Sequence, residues 1–160
     1  MRTIILVRHA KASRDIPGIE DFDRPLTAEG YSEAYKMAPA IKNKKLKPGL
    51  LVSSPAVRAA STAYIFARQL KVPAGNILMR DELFTDDYND ILKLLRNLSE
   101  EFSTLMVFGH NPSFEDVANF LSETPVEKIH TCGVLCLDAS KMKLEKHSMK
   151  IAFYLHPKSV

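Results

Sequence analysis

Short apolar runs rich in β-branched residues alternate along this chain with stretches whose apolar positions recur every three to four residues, and that alternation permits few architectures. Thr3 to Val7 is the first such run and predicts a buried strand. Ala34, Met37, Ala38 and Ile41 then recur at helical spacing, predicting a helix from Ala28 to about Ile41 with Thr27 as its N-cap. Leu50-Leu51-Val52 reads as a second strand, and Ser54-Pro55 as the opening of a helix to about Leu70, with Ser54 as N-cap and Pro55 at the first helical position. A short strand at Ile77 to Met79 follows, then a helix from Tyr88 to Leu98 spaced by Ile91, Leu92, Leu95 and Leu98. Thr104 to Phe108 is the next buried strand, and Asn111-Pro112 starts a helix to about Leu121. Val134 to Leu137 and Ile151 to Leu155 close the chain as a strand pair, and the charged stretch Lys141 to His147 between them suits an antiparallel hairpin.

This order predicts an α/β fold: one domain over residues 1–160, a largely parallel central sheet with helices on both faces, and a C-terminal strand pair that is antiparallel. A chain of 160 residues buries an adequate core as a single domain. There is no repeat or low-complexity stretch to divide it. A net charge of +3 is too small to argue for nucleic acid, and Lys42, Lys44, Lys45 and Lys47 read as a solvated helix end. Cys132 and Cys136, lying in one apolar run, read as buried free thiols and not as a disulfide or zinc site. No apolar stretch approaches the roughly 18 residues of a membrane span. The first apolar run is cut at once by Arg8-His9, which speaks against a signal peptide. The expectation is a cytoplasmic protein without membrane or nucleic-acid partners; oligomeric state is not legible.

In open α/β sheets ligands bind beyond the carboxyl ends of the strands. Arg8 and His9 follow the first strand, Ser53 and Ser54 the second, with Arg58 shortly after Pro55, and Gly109, His110 and Asn111 the fourth. Two arginines and two histidines therefore converge on one edge of the sheet. Guanidiniums clamp a tetrahedral dianion through paired hydrogen bonds, and helix amino termini add N–H donors. A neutral imidazole, with an ordinary pKa of about 6.5, is a competent nucleophile towards phosphorus. Phosphoryl transfer needs chiefly positioning and charge stabilisation, and this set offers both without a metal or other cofactor.

Competing chemistries fit less well. A cysteine phosphatase needs an Arg six positions after its Cys, where this chain has Asp138 and Met142. No Gly-rich loop ends in Gly-Lys-Ser/Thr. Asp21-Phe22-Asp23 has the look of an aspartate phosphatase motif, but it follows no apolar strand and Pro25 stands where Thr or Val is needed. No carboxylate and histidine cluster shows metal-ligand spacing.

Leu6-Val7-Arg8-His9-Ala10 resembles the Arg-His-Gly signature of the histidine phosphatase superfamily, with Ala in place of Gly, and Arg8-His9-Ala10-Lys11-Ala12 resembles its SixA-type phosphohistidine phosphatase branch. Asp23-Arg24-Pro25-Leu26-Thr27 with Gly30 is similar to that branch's Arg-Pro-Leu-Thr segment. Ser53-Ser54-Pro55-Ala56-Val57-Arg58-Ala59 with Thr62, and Gly109-His110-Asn111-Pro112, match two further motifs in the same order. The resemblance implies a phosphoglycerate mutase-like fold, with His9 as the nucleophile that becomes phosphorylated, Arg8 and Arg58 on the phosphoryl oxygens, and His110 stabilising the transferring group. Ser53 and Asn111 border the pocket by position and serve equally well as helix caps; Arg24 and Thr27 read as a loop anchor and a cap.

Larger relatives supply a general acid from the segment between the second arginine and the second histidine. Here that segment holds Asp81, Glu82, Asp86 and Asp87, of which Asp86 is preferred and Glu82 comes next. Imidazole is a good leaving group, so a phosphohistidine substrate needs little proton donation. Residues 59–109, 51 in all, are used up by ordinary elements, leaving little room for the helical cap that encloses small sugar phosphates in the mutases. The leading expectation is a phosphatase for phosphohistidine on a protein. The alternatives are a phosphatase for a small phosphate ester and a non-catalytic phosphoprotein-binding module of the same fold.

Overall fold

In the computed structural model, which describes residues 2–14, 16–139 and 143–160, one six-stranded sheet runs in the order β3-β2-β4-β1-β5-β6. The strands are β1 (Arg2–Arg8), β2 (Leu50–Ser53), β3 (Ile77–Met79), β4 (Thr104–Gly109), β5 (Val134–Ala139) and β6 (Lys150–Leu155), and the helices are α1 (Ala28–Lys42), α2 (Val57–Leu70), α3 (Tyr88–Glu101) and α4 (Ser113–Leu121). The first four strands pair in parallel. β5 is antiparallel to β1 as well as to β6, so the antiparallel part of the sheet begins one pairing earlier than the closing hairpin. Of the expected hairpin segment, Lys141 and Met142 lie outside the described residues.

The β-branched runs are buried because both faces of the sheet are covered. Ile4 and Leu6 face one way, with Val107 and Leu135, and meet Ile91 and Leu95 of α3 and Phe114 and Val117 of α4. Ile5 and Val7 face the other way, with Met106 and Phe108, and meet Met37 and Ile41 of α1 and Phe66 of α2. Cys132 and Cys136 are buried free thiols in this second layer, and burial raises both pKa values. Lys42, Lys44, Lys45 and Lys47 are exposed at the end of α1. Thr27 caps α1 by accepting from the Gly30 N–H at 3.0 Å.

Two helix starts differ from expectation. α2 begins at Val57, past Pro55, with Ala56 at the N-cap position and no side-chain cap. The Ser54 hydroxyl instead accepts from the Ala56 N–H at 3.3 Å and bonds a histidine ring at 2.8 Å, so it closes a turn before the helix. α4 begins at Ser113 with Pro112 at its N-cap, after a cis Asn111–Pro112 bond. Neither Ser53 nor Asn111 caps a helix: the Ser53 hydroxyl donates to the Ser54 carbonyl, and the Asn111 amide donates to Glu115 and to the Ile129 carbonyl.

The chain passes from β1 out to β2 and β3 and returns to insert β4 between β2 and β1. The carboxyl ends of β2, β4 and β1 therefore lie side by side where the winding reverses, the place at which such sheets form a cleft.

Candidate active site

Backbone pairing continues one residue past these strand ends. Arg8 is registered against Gly109, the His9 N–H donates to the Gly109 carbonyl at 3.0 Å, and the Ser54 N–H donates to the Phe108 carbonyl at 2.9 Å. The ladder thus sets His9, His110 and Ser54 next to one another. The two imidazoles lie 5.2 Å apart, centroid to centroid, and His110 Nε2 is 2.8 Å from Ser54 Oγ. Gly109 makes room beneath them, since a Cβ there would come within 2.5 Å of the Phe114 ring.

His9 Nδ1 lies 2.7 Å from the Ala10 carbonyl oxygen. A carbonyl only accepts, so Nδ1 carries the proton and Nε2 keeps its lone pair. Burial, reinforced by the charges of Arg58 and Arg8, lowers the His9 pKa to about 4 despite the bond to Ala10. Burial also lowers His110, to about 3, with His9 and Arg58 adding to the effect. Both imidazoles are neutral at physiological pH.

The arginines share one arrangement. Arg8 Nη1 donates to the Ile129 carbonyl at 2.9 Å. Arg58 Nη1 donates to the Asp21 carbonyl and Arg58 Nη2 to Asp21 Oδ2 at 3.0 Å. In both, Nε is buried without a hydrogen-bond partner among the described residues, as is His110 Nδ1. An unpartnered buried donor is costly. Two such guanidinium edges beside two neutral imidazoles make a seat suited to an oxyanion.

The motif spacings have structural causes. Thr62 lies one turn after Arg58, donates to the Arg58 carbonyl at 2.7 Å and accepts from the Ala10 N–H at 3.1 Å, tying α2 to the end of β1. Gly30 packs against the Lys11 backbone so closely that a Cβ would lie 2.1 Å from its carbonyl oxygen. Arg24 anchors its loop by donating to the Ser13 carbonyl at 3.1 Å and to Asp21 Oδ1 at 2.9 Å.

Arg8, His9, Arg58, His110 and Asn111 line one open cavity of about 930 Å³, and so does Asp86. Glu82 is instead paired with Arg80, and Asp87 caps α3 by accepting from the Asn89 N–H at 2.9 Å. Asp21 also sits in this wall, against Arg58, a place that the sequence does not signal because no local spacing links residues 21 and 58. The sequence does not signal Phe84 either; its ring meets His110 edge-on at 5.5 Å and Phe22 at 5.3 Å.

The family model of the histidine phosphatase superfamily (branch 1) matches residues 4–90. Over 150 residues the chain is 29% identical to an uncharacterized chloroplastic protein of Arabidopsis thaliana, an alignment that takes in 86% of this chain and 66% of the relative. The chain thus spans just under two thirds of that relative's length. Among solved structures, a candidate phosphohistidine phosphatase SixA from Agrobacterium tumefaciens matches with a TM-score of 0.83 and 26% identity, over 98% of both chains. The protein histidine phosphatase SixA complexed with tungstate matches with a TM-score of 0.84 and 22% identity, over 98% of this chain and 97% of that one. A phosphoserine phosphatase from Entamoeba histolytica shares the fold at a TM-score of 0.72 and 15% identity, with both chains covered in full.

Proposed function

The chain belongs to branch 1 of the histidine phosphatase superfamily, and from that premise we propose that it is a metal-independent phosphatase acting on phosphohistidine carried by a protein. The observation that supports this reading best is the pair of buried arginine Nε–H groups, unpartnered among the described residues, beside a His9 whose Nδ1 carries the proton and leaves Nε2 its lone pair. In the proposed reaction His9 Nε2 attacks phosphorus, a P–N bond forms to His9, and the bond to the substrate's imidazole nitrogen breaks. Water then attacks phosphorus, the P–N bond breaks and phosphate leaves. Arg8 and Arg58 hold the phosphoryl oxygens and His110 stabilises the charge that spreads over them in the transition state.

The open cavity supports a protein substrate. Residues 59–109 contain only the remainder of α2, then β3, α3, β4 and two short 3₁₀ turns, so this segment holds no inserted helical cap. A small phosphate ester is the second reading, and Asp86 on the cavity wall is the observation that favours it, because an alkoxide leaving group needs a proton.

The test is turnover of a phosphohistidine protein beside a panel of small phosphate esters, with EDTA present, in wild type and His9→Ala. Phosphohistidine turnover that survives EDTA and vanishes in the folded variant is expected. An unaltered rate in His9→Ala would remove the nucleophile, and activity restored only by a divalent ion would remove metal independence.

A further inference from the structure

Both terminal nitrogens of Arg58 are occupied by one residue. Asp21 takes Nη1 with its backbone carbonyl and Nη2 with its carboxylate, holding the end-on edge of the guanidinium like a fork. What remains free is the other edge, made of Nε–H and the second Nη2 hydrogen, and Nε is buried without a partner among the described residues. A guanidinium fixed along one edge cannot turn, so the direction of its free edge is set before any ligand arrives. The carboxylate is itself braced, because Asp21 Oδ1 accepts a hydrogen bond from Arg24 Nε at 2.9 Å and is ion-paired with Arg24 Nη2 at 2.8 Å. Burial would raise the Asp21 pKa, but hydrogen bonds and charge from Arg58 and Arg24 outweigh it and hold the group below the usual carboxylate range.

We propose that Asp21 is the positioning residue for Arg58, holding the guanidinium so that its Nε edge receives a phosphoryl oxygen. The proposal rests on the reading of Arg58 as an oxyanion clamp. Asp21 is not suited to be the proton donor, since a carboxylate stabilised by two guanidiniums keeps its charge. Two effects oppose each other here. The negative charge of Asp21 repels an incoming phosphoryl group, while its hydrogen bonds orient the donor that receives it. Arg24, which lines the same cavity and pairs with Asp21 Oδ1, offsets that charge, so orientation dominates. The turn that carries Asp21 also places Phe22 against Phe84, whose ring touches His110, and this packing holds the brace beside the site.

Tungstate is the probe, measured by calorimetry on wild type, Asp21→Ala, Asp21→Asn and Asp23→Ala, with kcat and KM for a turned-over phosphate substrate alongside. Losing a charge-assisted bond that orients a clamp should weaken tungstate by about tenfold in Asp21→Ala. kcat/KM should fall at least as far, with kcat contributing and not KM alone. Asp21→Asn keeps an oxygen acceptor for Nη2 and should recover part of the loss. Asp23→Ala removes an equal charge from the same turn and should change affinity by no more than about twofold. The Asp21 side chain is largely exposed, so the variants should fold, and a thermal melt checks this. Tighter or unchanged tungstate binding in Asp21→Ala overturns the proposal, since Asp21 would then compete for Arg58 or be idle. An equal effect of Asp23→Ala overturns it too, by reducing it to general charge. No tungstate binding by wild type would instead overturn the oxyanion site itself.

Discussion

His9 is neutral because of where it sits, and this has two measurable consequences. Its pKa is lowered from 6.5 to about 4 and that of His110 to about 3. The limb of kcat/KM that reports protonation of the proposed nucleophile should therefore lie near pH 4, and a limb near 6.5 beyond the one that the substrate's own phosphate gives at about 6 would contradict the environment described for His9. Stability must follow the same protons. An unfolded histidine takes up its proton near pH 6.5 while the folded ones do not, so the unfolded state binds more protons and stability falls with pH. The loss should set in below about 6.5 and continue to the folded values, at up to about 1.4 kcal/mol per pH unit for each histidine. Urea unfolding between pH 7 and 4.5 tests this: the slope should flatten when His9 and His110 are both replaced by Gln. A slope unchanged by the double replacement would place its origin in carboxylates.

At the scale of elements, what proved legible was what depends on local spacing. The strands were marked by short apolar runs, α1 and α3 by the spacing of their apolar residues, and α2 and α4 by the Ser-Pro and Asn-Pro steps before them, while the strand-end positions of Arg8, His9 and His110 followed from the rule for parallel sheets. Helix starts at Pro55 and Pro112 were read too early because tertiary bonds of Ser54 and Asn111 took the capping groups elsewhere. Asp21 was invisible for a related reason: its role depends on a contact with residue 58 that only the folded loop creates. The loop from Lys11 to Thr27 thus carries part of the site, and Gly30 sets how α1 docks beneath it. In Gly30→Ala the added Cβ would meet the Lys11 backbone, two residues from His9, and backbone cannot yield as a side chain can. Overpacking of this kind costs about 1–3 kcal/mol. Gly30→Ala should lower the thermal midpoint and weaken oxyanion binding together. Gly75→Ala, where nothing lies within 4 Å of the added atom, should do neither. Equal melts for the two variants would show that the Lys11 loop can shift freely.

An open cavity, with no helical cap inserted between Arg58 and His110, leaves substrate choice to the leaving group as much as to shape. The walls include Arg8, Arg58, His9 and His110, the groups proposed to hold the phosphoryl group, and from the β3–α3 connection they gain one carboxylate, Asp86. The neighbouring candidates are committed elsewhere, Glu82 to Arg80 and Asp87 to the start of α3. If Asp86 donates a proton, its effect must depend on how much the departing atom needs one. An alkoxide needs it greatly, and removing a general acid slows such a step by about 10²- to 10⁴-fold. Imidazole departs as a weak base and needs it far less. Asp86→Asn should therefore depress hydrolysis of an alkyl phosphate much more than hydrolysis of phosphohistidine, while Glu82→Gln leaves both nearly unchanged. The comparison requires both substrates in wild type and both variants, under conditions where chemistry and not product release is measured. Equal losses on the two substrates in Asp86→Asn would show that this carboxylate does something other than protonate the leaving group. No loss on either would assign the proton to water, and the open cavity would then admit both the substrate and its acid from solvent.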